Sequence, residues 1–462
     1  MAGWIRRSSI STNGFAVSEP AFAHAMAAVA DAPRFSVSGR ITRVVGQVVE
    51  TTPLPVALGE VCRISSGDRP VLAVVAGFQE RGIFLLPLGD LEGIHPGAPV
   101  TPLGRPLFVH VGNGLVGRVL DGLGRPIDGR GPIGATGRQR LTAEPPNPLT
   151  RARVANPIAT GVRALDGLVS LGRGQRIGIM AGSGVGKSVL LGMIARGASA
   201  DVNVIALLGE RGREVREFVE RDLGPDGLAR SVLIVATSDQ SAVVRATGAL
   251  VATAVAEHFR DQGLDVLLMM DSITRVATAW REVGLSVGEP PTTKGYPPSV
   301  FAQLPRLLER AGTGDRGSIT GLYTVLVEGD DFNEPVADAA RSILDGHVVL
   351  TRRLAGAKHF PAIDVLDSVS RVRDAVIDDG HLAAADTLLR LEAAYRGHED
   401  LIAVGAYKPG ANRTVDAAIA LRPEFLRLLQ QRADDRTGFD ESRAAVIALA
   451  ARAQALEAEP AR

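Results

Sequence analysis

The chain's 462 residues include 51 basic and 51 acidic side chains, which cancel, and 45% are hydrophobic. That length gives room for roughly three domains with proper cores, and the balanced charge argues against a protein whose main work is coating nucleic acid or anionic lipid. The lone Cys62 excludes a disulfide framework and leaves no zinc cluster, which fits a reducing cytoplasm.

No stretch approaches the ~20 uninterrupted apolar residues of a membrane span. Ser18-Glu19-Pro20 and His24 break the alanines that follow Arg6-Arg7, so no secretory signal is expected. Within residues 1–37 an Ala-rich stretch, 19–32, suits a short amphipathic helix. From 38 to 104 short β-branched runs split by Gly and Pro (GRITRVVGQVVE, PVLAVVAGFQ, GIFLLPLG) predict a small β-barrel. Residues 105–155, centred on VGRVLDGLGRPIDGRGP, read as a Gly/Pro-rich connector. From 156 to 382 the texture becomes strand, turn, helix. QRIGIMA, VNVIALL, SVLIVAT, DVLLMM and GLYTVLV are almost wholly apolar, as strands buried on both faces of a parallel sheet must be. Helix-length amphipathic segments at 187–198 and 241–262 lie between them, so this is an α/β domain with a largely parallel sheet. Residues 383–462 read as a helical domain, with helices over 383–395, 415–431 and 441–457.

AGSGVGKS, 181–188, follows an apolar strand and opens a helix, the context a phosphate-binding loop needs. Backbone N–H groups from Gly182, Ser183, Gly184, Val185 and Gly186 through Lys187, Ser188 and Val189 would wrap the phosphates. Lys187 would reach the β- and γ-phosphates of ATP, and the Ser188 hydroxyl would bind Mg2+. Only four lysines occur, at 187, 294, 358 and 408, so a compact ammonium here stands out in a chain that otherwise uses arginine. Asp271 ends the strand DVLLMM, where it would hold a Mg2+-bound water; a helix cap is the bland alternative. Glu210, after VNVIALLG, could polarise the water that attacks the γ-phosphate, or simply answer a helix dipole. Met269 and Met270 are expected in the core.

The run 181–371 resembles the catalytic subunits of the rotary ATP synthase family, above all the type III export ATPases. GERGREVREF, ATSDQSA, DSITR, VGEPPTTKGYPPSVFAQLPRLLERAG, YTVLVEGDDFNEPVADAARSILDGH and FPAIDVLDSVSR carry the likeness; GRITRVVG, GEVCRI and GAYKPGANRTVDAAI extend it to both flanking domains. TSDQSA, GYPPSVF and GANRTVD favour the flagellar branch over its virulence-secretion relatives. The resemblance implies a RecA-like core between an N-terminal barrel and a C-terminal helical domain. It makes Glu210 the general base, puts Arg211 and Glu214 around the γ-phosphate and the metal's waters, and makes Arg275 a phosphate sensor. It sets Phe360 against adenine, with Tyr407 on the other side, and makes Arg371 an arginine finger reaching into a neighbour's site. Phe360 in the core and Arg371 in a surface salt bridge are the bland alternatives. Val276 and Trp280 depart from the family, which commonly has Phe and Gln there.

The expected function is therefore a MgATP-hydrolysing motor of flagellar protein export, a homohexamer with sites at subunit interfaces. A regulatory stator-like protein at the N-terminus, a central stalk protein, an export gate, chaperones and cargo are the implied partners. No nucleic acid is among them, and the expected place is the cytoplasm, peripheral to the inner face of the cell membrane. The alternatives are a virulence-type secretion ATPase, a proton-translocating synthase subunit, a hexameric RNA helicase and a non-hydrolytic structural subunit. The last lacks a carboxylate at the position of Glu210.

Overall fold

Six short strands near the N-terminus close on themselves because every second side chain is apolar and needs cover. They are β1 (Gly39–Val45), β2 (Val48–Thr51), β3 (Glu60–Ile64), β4 (Val71–Gln79), β5 (Gly82–Pro87) and β6 (Pro99–Pro106), in the order β1-β2-β5-β4-β3-β6, with β6 returning to β1. Ile41, Val49, Ile64, Val75, Leu85 and Val100 fill the interior, together with Cys62. Burial pushes the Cys62 thiol up to about 11, so it packs as a small apolar residue and not as a nucleophile. The computed structural model describes residues 37–65, 69–80, 82–327 and 334–458. The helix expected over 19–32, and with it the partner-docking segment, lies outside them.

The segment read as a connector is more structured than its Gly/Pro content suggested. β7 (Phe108–Val111) and β9 (Gly137–Arg140) form an antiparallel ribbon, and β8 (Val119–Asp121) joins the central sheet. Arg118 and Asp128 fasten β8 through a paired salt bridge with contacts of 2.6 and 2.8 Å, which holds the Asp128 carboxyl well below its usual range.

The central sheet comprises β10 (Arg176–Ala181), β11 (Val202–Leu208), β12 (Ser231–Ala236), β13 (Asp265–Asp271), β14 (Gly312–Thr313), β15 (Ser318–Leu326), β16 (Gly346–Leu350) and β17 (Ile363–Ser370), with β8 at one edge. Its order is β17-β16-β10-β15-β13-β11-β12-β8, with β14 beside β15. Every pairing from β16 to β8 is parallel; β17 and the short β14 run antiparallel. Both faces are covered, which is why the strands lack alternation. Val204, Ala206, Leu208 and Met270 face the helices Ala242–Asp261, Ile273–Ser286 and Pro298–Leu308. Ile205, Leu207 and Met269 face Lys187–Gly197 and the C-terminal helices Asp379–Ala403, Arg413–Leu429 and Phe439–Ala458. Val276 and Trp280, the two departures from the family pattern, are 0% and 6% exposed in the first of these cores. Val48, Leu86 and Leu88 on the barrel's outside pack on Val243, joining the barrel to the helix Ala242–Asp261 that covers the sheet.

Candidate active site

The order β10-β15-β13-β11 brings the carboxyl ends of β10, β13 and β11 close together, where open α/β sheets bind their ligands. A cleft of about 890 Å3 opens there. The phosphate loop leaves β10 and turns into the helix Lys187–Gly197 through Gly184 and Gly186, at φ 78° and 88°, values a side chain would resist. Gly182, Ser183, Gly184, Gly186, Lys187, Ser188 and Val189 line the cleft, while Val185 is buried beneath it.

Lys187 Nζ lies 2.5 Å from Asp271 Oδ1 and 3.4 Å from Glu210 Oε1. Burial works against the ammonium, but the two carboxylates more than offset it and hold its pKa above the ordinary value. Asp271 is free for this because the neighbouring Ser272 caps the helix Ile273–Ser286, its side chain accepting from Arg275 N–H. The helix-cap alternative for Asp271 therefore does not hold. Thr324 on β15, itself fully buried, donates a 2.7 Å hydrogen bond to the same Asp271 oxygen and fixes the carboxylate's orientation. Nothing in the sequence singled out Thr324; its role follows only from β15 lying between β10 and β13.

Glu210 likewise does not cap: Arg211 occupies the N-cap of the next helix, Gly212–Glu217, and the Glu210 side chain turns to Lys187. Burial raises the Glu210 pKa, Lys187 opposes the rise, and Asp271 and Glu214 add to it, for a net value above the usual carboxylate range. The hydrogen bond from Glu210 lowers the pKa of Glu214. A base poised closer to neutrality is what proton abstraction from water at pH 7 favours. Arg211 and Glu214 stand at the mouth, 3.7 Å apart in an exposed pair. Arg275 also lines the cleft, its stem packed on Gly209, where a Cβ would come within 3.0 Å of it.

Phe360 is 42% exposed, not a core residue, and its ring sits 3.6 Å from where a Cβ on Gly186 would be, beside the phosphate loop. Tyr407 is not brought to the cleft lining; its hydroxyl lies 3.0 Å from the Asn412 carbonyl and from Asp416. Arg371 also stands outside its own chain's cleft, on the surface after β17, and among the described residues it makes no ion pair. Two lining arginines escaped sequence reasoning, Arg221 and Arg352. The Arg352 guanidinium lies 3.2 Å from a Cβ position on Gly182, against the loop's outer wall. Its only sequence signal is a basic residue shortly after an apolar strand, which is too common to select it.

Comparison with known proteins bears on the whole chain. The model of the ATP synthase alpha/beta family nucleotide-binding domain matches residues 161–370, that of the family's beta-barrel domain 41–104, and that of the T3SS EscN ATPase C-terminal domain 377–448. The flagellum-specific ATP synthase of Bacillus subtilis (strain 168) is 50% identical over 416 residues, covering 89% of this chain and 94% of the relative. The type 3 secretion system ATPase of Xanthomonas euvesicatoria is 51% identical over 406 residues, 87% of this chain and 92% of the relative. Among solved structures, the assembled ATPase EscN from the enteropathogenic E. coli type III secretion system superposes with a TM-score of 0.85 at 46% identity, covering 89% of this chain and 100% of that one. EscN in complex with its central stalk EscO gives 0.84 at 45%, with the same coverage.

Proposed function

The chain belongs to the ATP synthase alpha/beta family and is an ATP hydrolase of the type III export kind, and from that premise we propose that it hydrolyses MgATP to power protein export in flagellum assembly. The observation that carries the chemistry is the convergence of Lys187, Asp271 and Glu210 at the end of the phosphate loop. The half-buried Glu210 carboxylate favours hydrolysis, because by the family resemblance non-hydrolytic subunits lack a carboxylate there.

The chain's own groups divide the work. Backbone N–H groups of 182–189 bind the phosphates at the helix N-terminus, and Lys187 supplies fixed positive charge to the β- and γ-phosphates. The oxygen donors at hand, the Ser188 hydroxyl and the Asp271 carboxylate with Glu214 further out, suit Mg2+, a hard cation. When bound, that ion neutralises charge on the phosphate oxygens. Glu210 orients the attacking water and takes its proton. Arg211 and Arg275 stabilise the charge that develops on the γ-phosphoryl group. Phe360, beside the phosphate loop, packs against adenine; Tyr407, tied to Asn412 and Asp416 away from the cleft lining, is left without a role in this site.

Arg371 is exposed and outside its own cleft, which supports a role in a neighbouring subunit's site. Identical subunits that meet head to tail close into a ring in which each interface holds one complete site. By its likeness to EscN, solved assembled and with a central stalk, the chain forms a homohexamer around a stalk protein. A stator-like regulator at the N-terminus, the export gate, chaperones and cargo complete the partners, and the protein works in the cytoplasm at the inner face of the membrane.

Identity is about equal to flagellar and virulence relatives, so TSDQSA, GYPPSVF and GANRTVD carry the choice of branch. Deletion of the gene, scored for assembled flagella and swimming, tests it. Loss of both is expected. Normal motility with loss of secretion into host cells would transfer the protein to the virulence branch that the Xanthomonas likeness represents.

A further inference from the structure

We propose that Gln175, acting with Asp345 and Ser370, is a positioning residue for Arg371, fixing the backbone from which that guanidinium reaches the adjacent subunit. The proposal rests on the reading of Arg371 as a group that acts in trans. Gln175 is completely buried in the turn that enters β10, with its amide fully engaged. Its Oε1 accepts from Gly172 N–H at 2.8 Å, and its Nε2 donates to the Asp345 carbonyl and the Ser370 hydroxyl, each at 3.0 Å. A buried amide satisfied at both ends is rigid, because any rotation orphans polar atoms in a low dielectric.

The Asp345 carbonyl that receives Gln175 also receives the N–H of Arg371, at 3.0 Å. Asp345 in turn is gripped by the first residue of β10. Its carboxylate accepts from Arg176 N at 3.0 Å, Nε at 3.0 Å and Nη2 at 3.1 Å, and its own N–H donates to the Arg176 carbonyl at 2.8 Å. Gly346 follows at φ 145° and pairs with Ser370; a Cβ there would lie 2.2 Å from the Val369 carbonyl oxygen. The end of β17 can therefore seat in only one way. Among the described residues the Arg371 head makes only one long contact, 3.5 Å to the Arg341 carbonyl. A fixed root and a loosely held head suit a group whose partner lies outside its own chain.

β10 does two things at once. Its last residue leads into the phosphate loop of its own site, and its first residues hold the arginine lent to the next. Six residues, about 20 Å of strand, separate the two. A defect at Gln175 could thus act in trans through Arg371 or in cis through the loop. The two routes give opposite results in mixed rings.

The test uses the full chain carrying Gln175→Met, which keeps the length of the side chain and removes its hydrogen bonds. A misplacement of about 1 Å at a reacting group costs on the order of a hundredfold, so turnover should fall about 10- to 100-fold, with nucleotide affinity unchanged. Mixing with Lys187→Ala subunits should restore activity, because they lend a well-seated Arg371 to an intact loop. Mixing with Arg371→Ala subunits should restore nothing. The reverse pattern, or normal turnover in Gln175→Met, would overturn the proposal. If Gln175→Met does not fold, Ser370→Ala carries the same mixing test, with Ser370→Thr as the conservative change that retains activity. A failure of the underlying reading shows separately, as no restoration when Arg371→Ala and Lys187→Ala subunits form mixed rings.

Discussion

Replacing Glu210 by glutamine should separate catalysis from binding, and the distances around Lys187 set the size of each effect. The amide keeps the volume and the hydrogen bonding of the side chain but cannot accept the proton of water. Loss of a positioned base costs about 10²- to 10⁴-fold in turnover, or roughly 2.7 to 5.5 kcal/mol of barrier. Binding should move the other way. Glu210 competes with phosphate for the Lys187 ammonium across 3.4 Å, with the two side chains 12% and 16% exposed. Such a contact is worth at most about 1 kcal/mol, so its removal tightens nucleotide binding by up to about fivefold. Asp271 at 2.5 Å keeps the lysine charged and in place. Phosphate release measures the first effect, and titration with a fluorescent nucleotide the second. The pH profile adds a third readout. Because burial raises the Glu210 pKa, wild-type turnover should fall on acidification while still above the ordinary carboxylate range, and the residual rate of Glu210→Gln should lack that limb. Turnover above a tenth of wild type, or a tenfold loss of affinity, would refute the assignment of Glu210 as the base.

Lys187→Ala should abolish hydrolysis, since the transferring phosphoryl group loses its fixed cation and Asp271 and Glu210 are left facing each other; a near-normal steady-state rate would remove Lys187 from the site. Arg371→Ala should bind MgATP normally yet turn over about 10³-fold more slowly, and regain partial activity in rings mixed with Lys187→Ala. Arg352→Ala should raise KM about tenfold while leaving kcat within twofold, because its guanidinium lines the cleft beside Gly182 and adds positive charge to the phosphate-binding side. Away from the site, Glu257→Ala should destabilise the central domain by about 3 to 5 kcal/mol in urea unfolding, because it strands the Arg310 guanidinium, 2.6 Å from that carboxylate in a pair 3% and 2% exposed.

The central strands were legible because a strand buried on both faces is almost wholly apolar, as in VNVIALL and DVLLMM, where one polar residue near the start of each leaves the run intact. The phosphate loop was legible because its glycines are needed for backbone reasons and its lysine for charge. β8 was not: three residues among glycines and prolines give no period, and only pairing with β12 makes them a strand. β16 and β17 passed unnoticed for a related cause, since Gly346, His347, Asp364 and Asp367 interrupt the apolar pattern. Thr324 and Gln175 act through neighbours remote in sequence, and spacing carries no information about such contacts. For Arg371 the residues alone offered a surface salt bridge; its exposure, and the absence of an ion pair among the described residues, support the finger that the family resemblance implied.

The capture of β8 by the central sheet means that the folding unit is not the segment that family similarity marks out. The nucleotide-binding match begins at 161, yet the strand that closes the sheet on the β12 side lies at Val119–Asp121. A fragment started at the family boundary would leave Leu233, Ile234 and Val235 with unpaired backbone along an apolar strand, SVLIVA. Bare edges of that composition template association with other chains. The same holds during synthesis: β8 emerges early and stays unpaired until β12 has been made. The barrel's Val48, Leu86 and Leu88 must wait in the same way for Val243. Barrel and sheet therefore mature together, and an excised catalytic core that behaves well in solution has to begin upstream of residue 119.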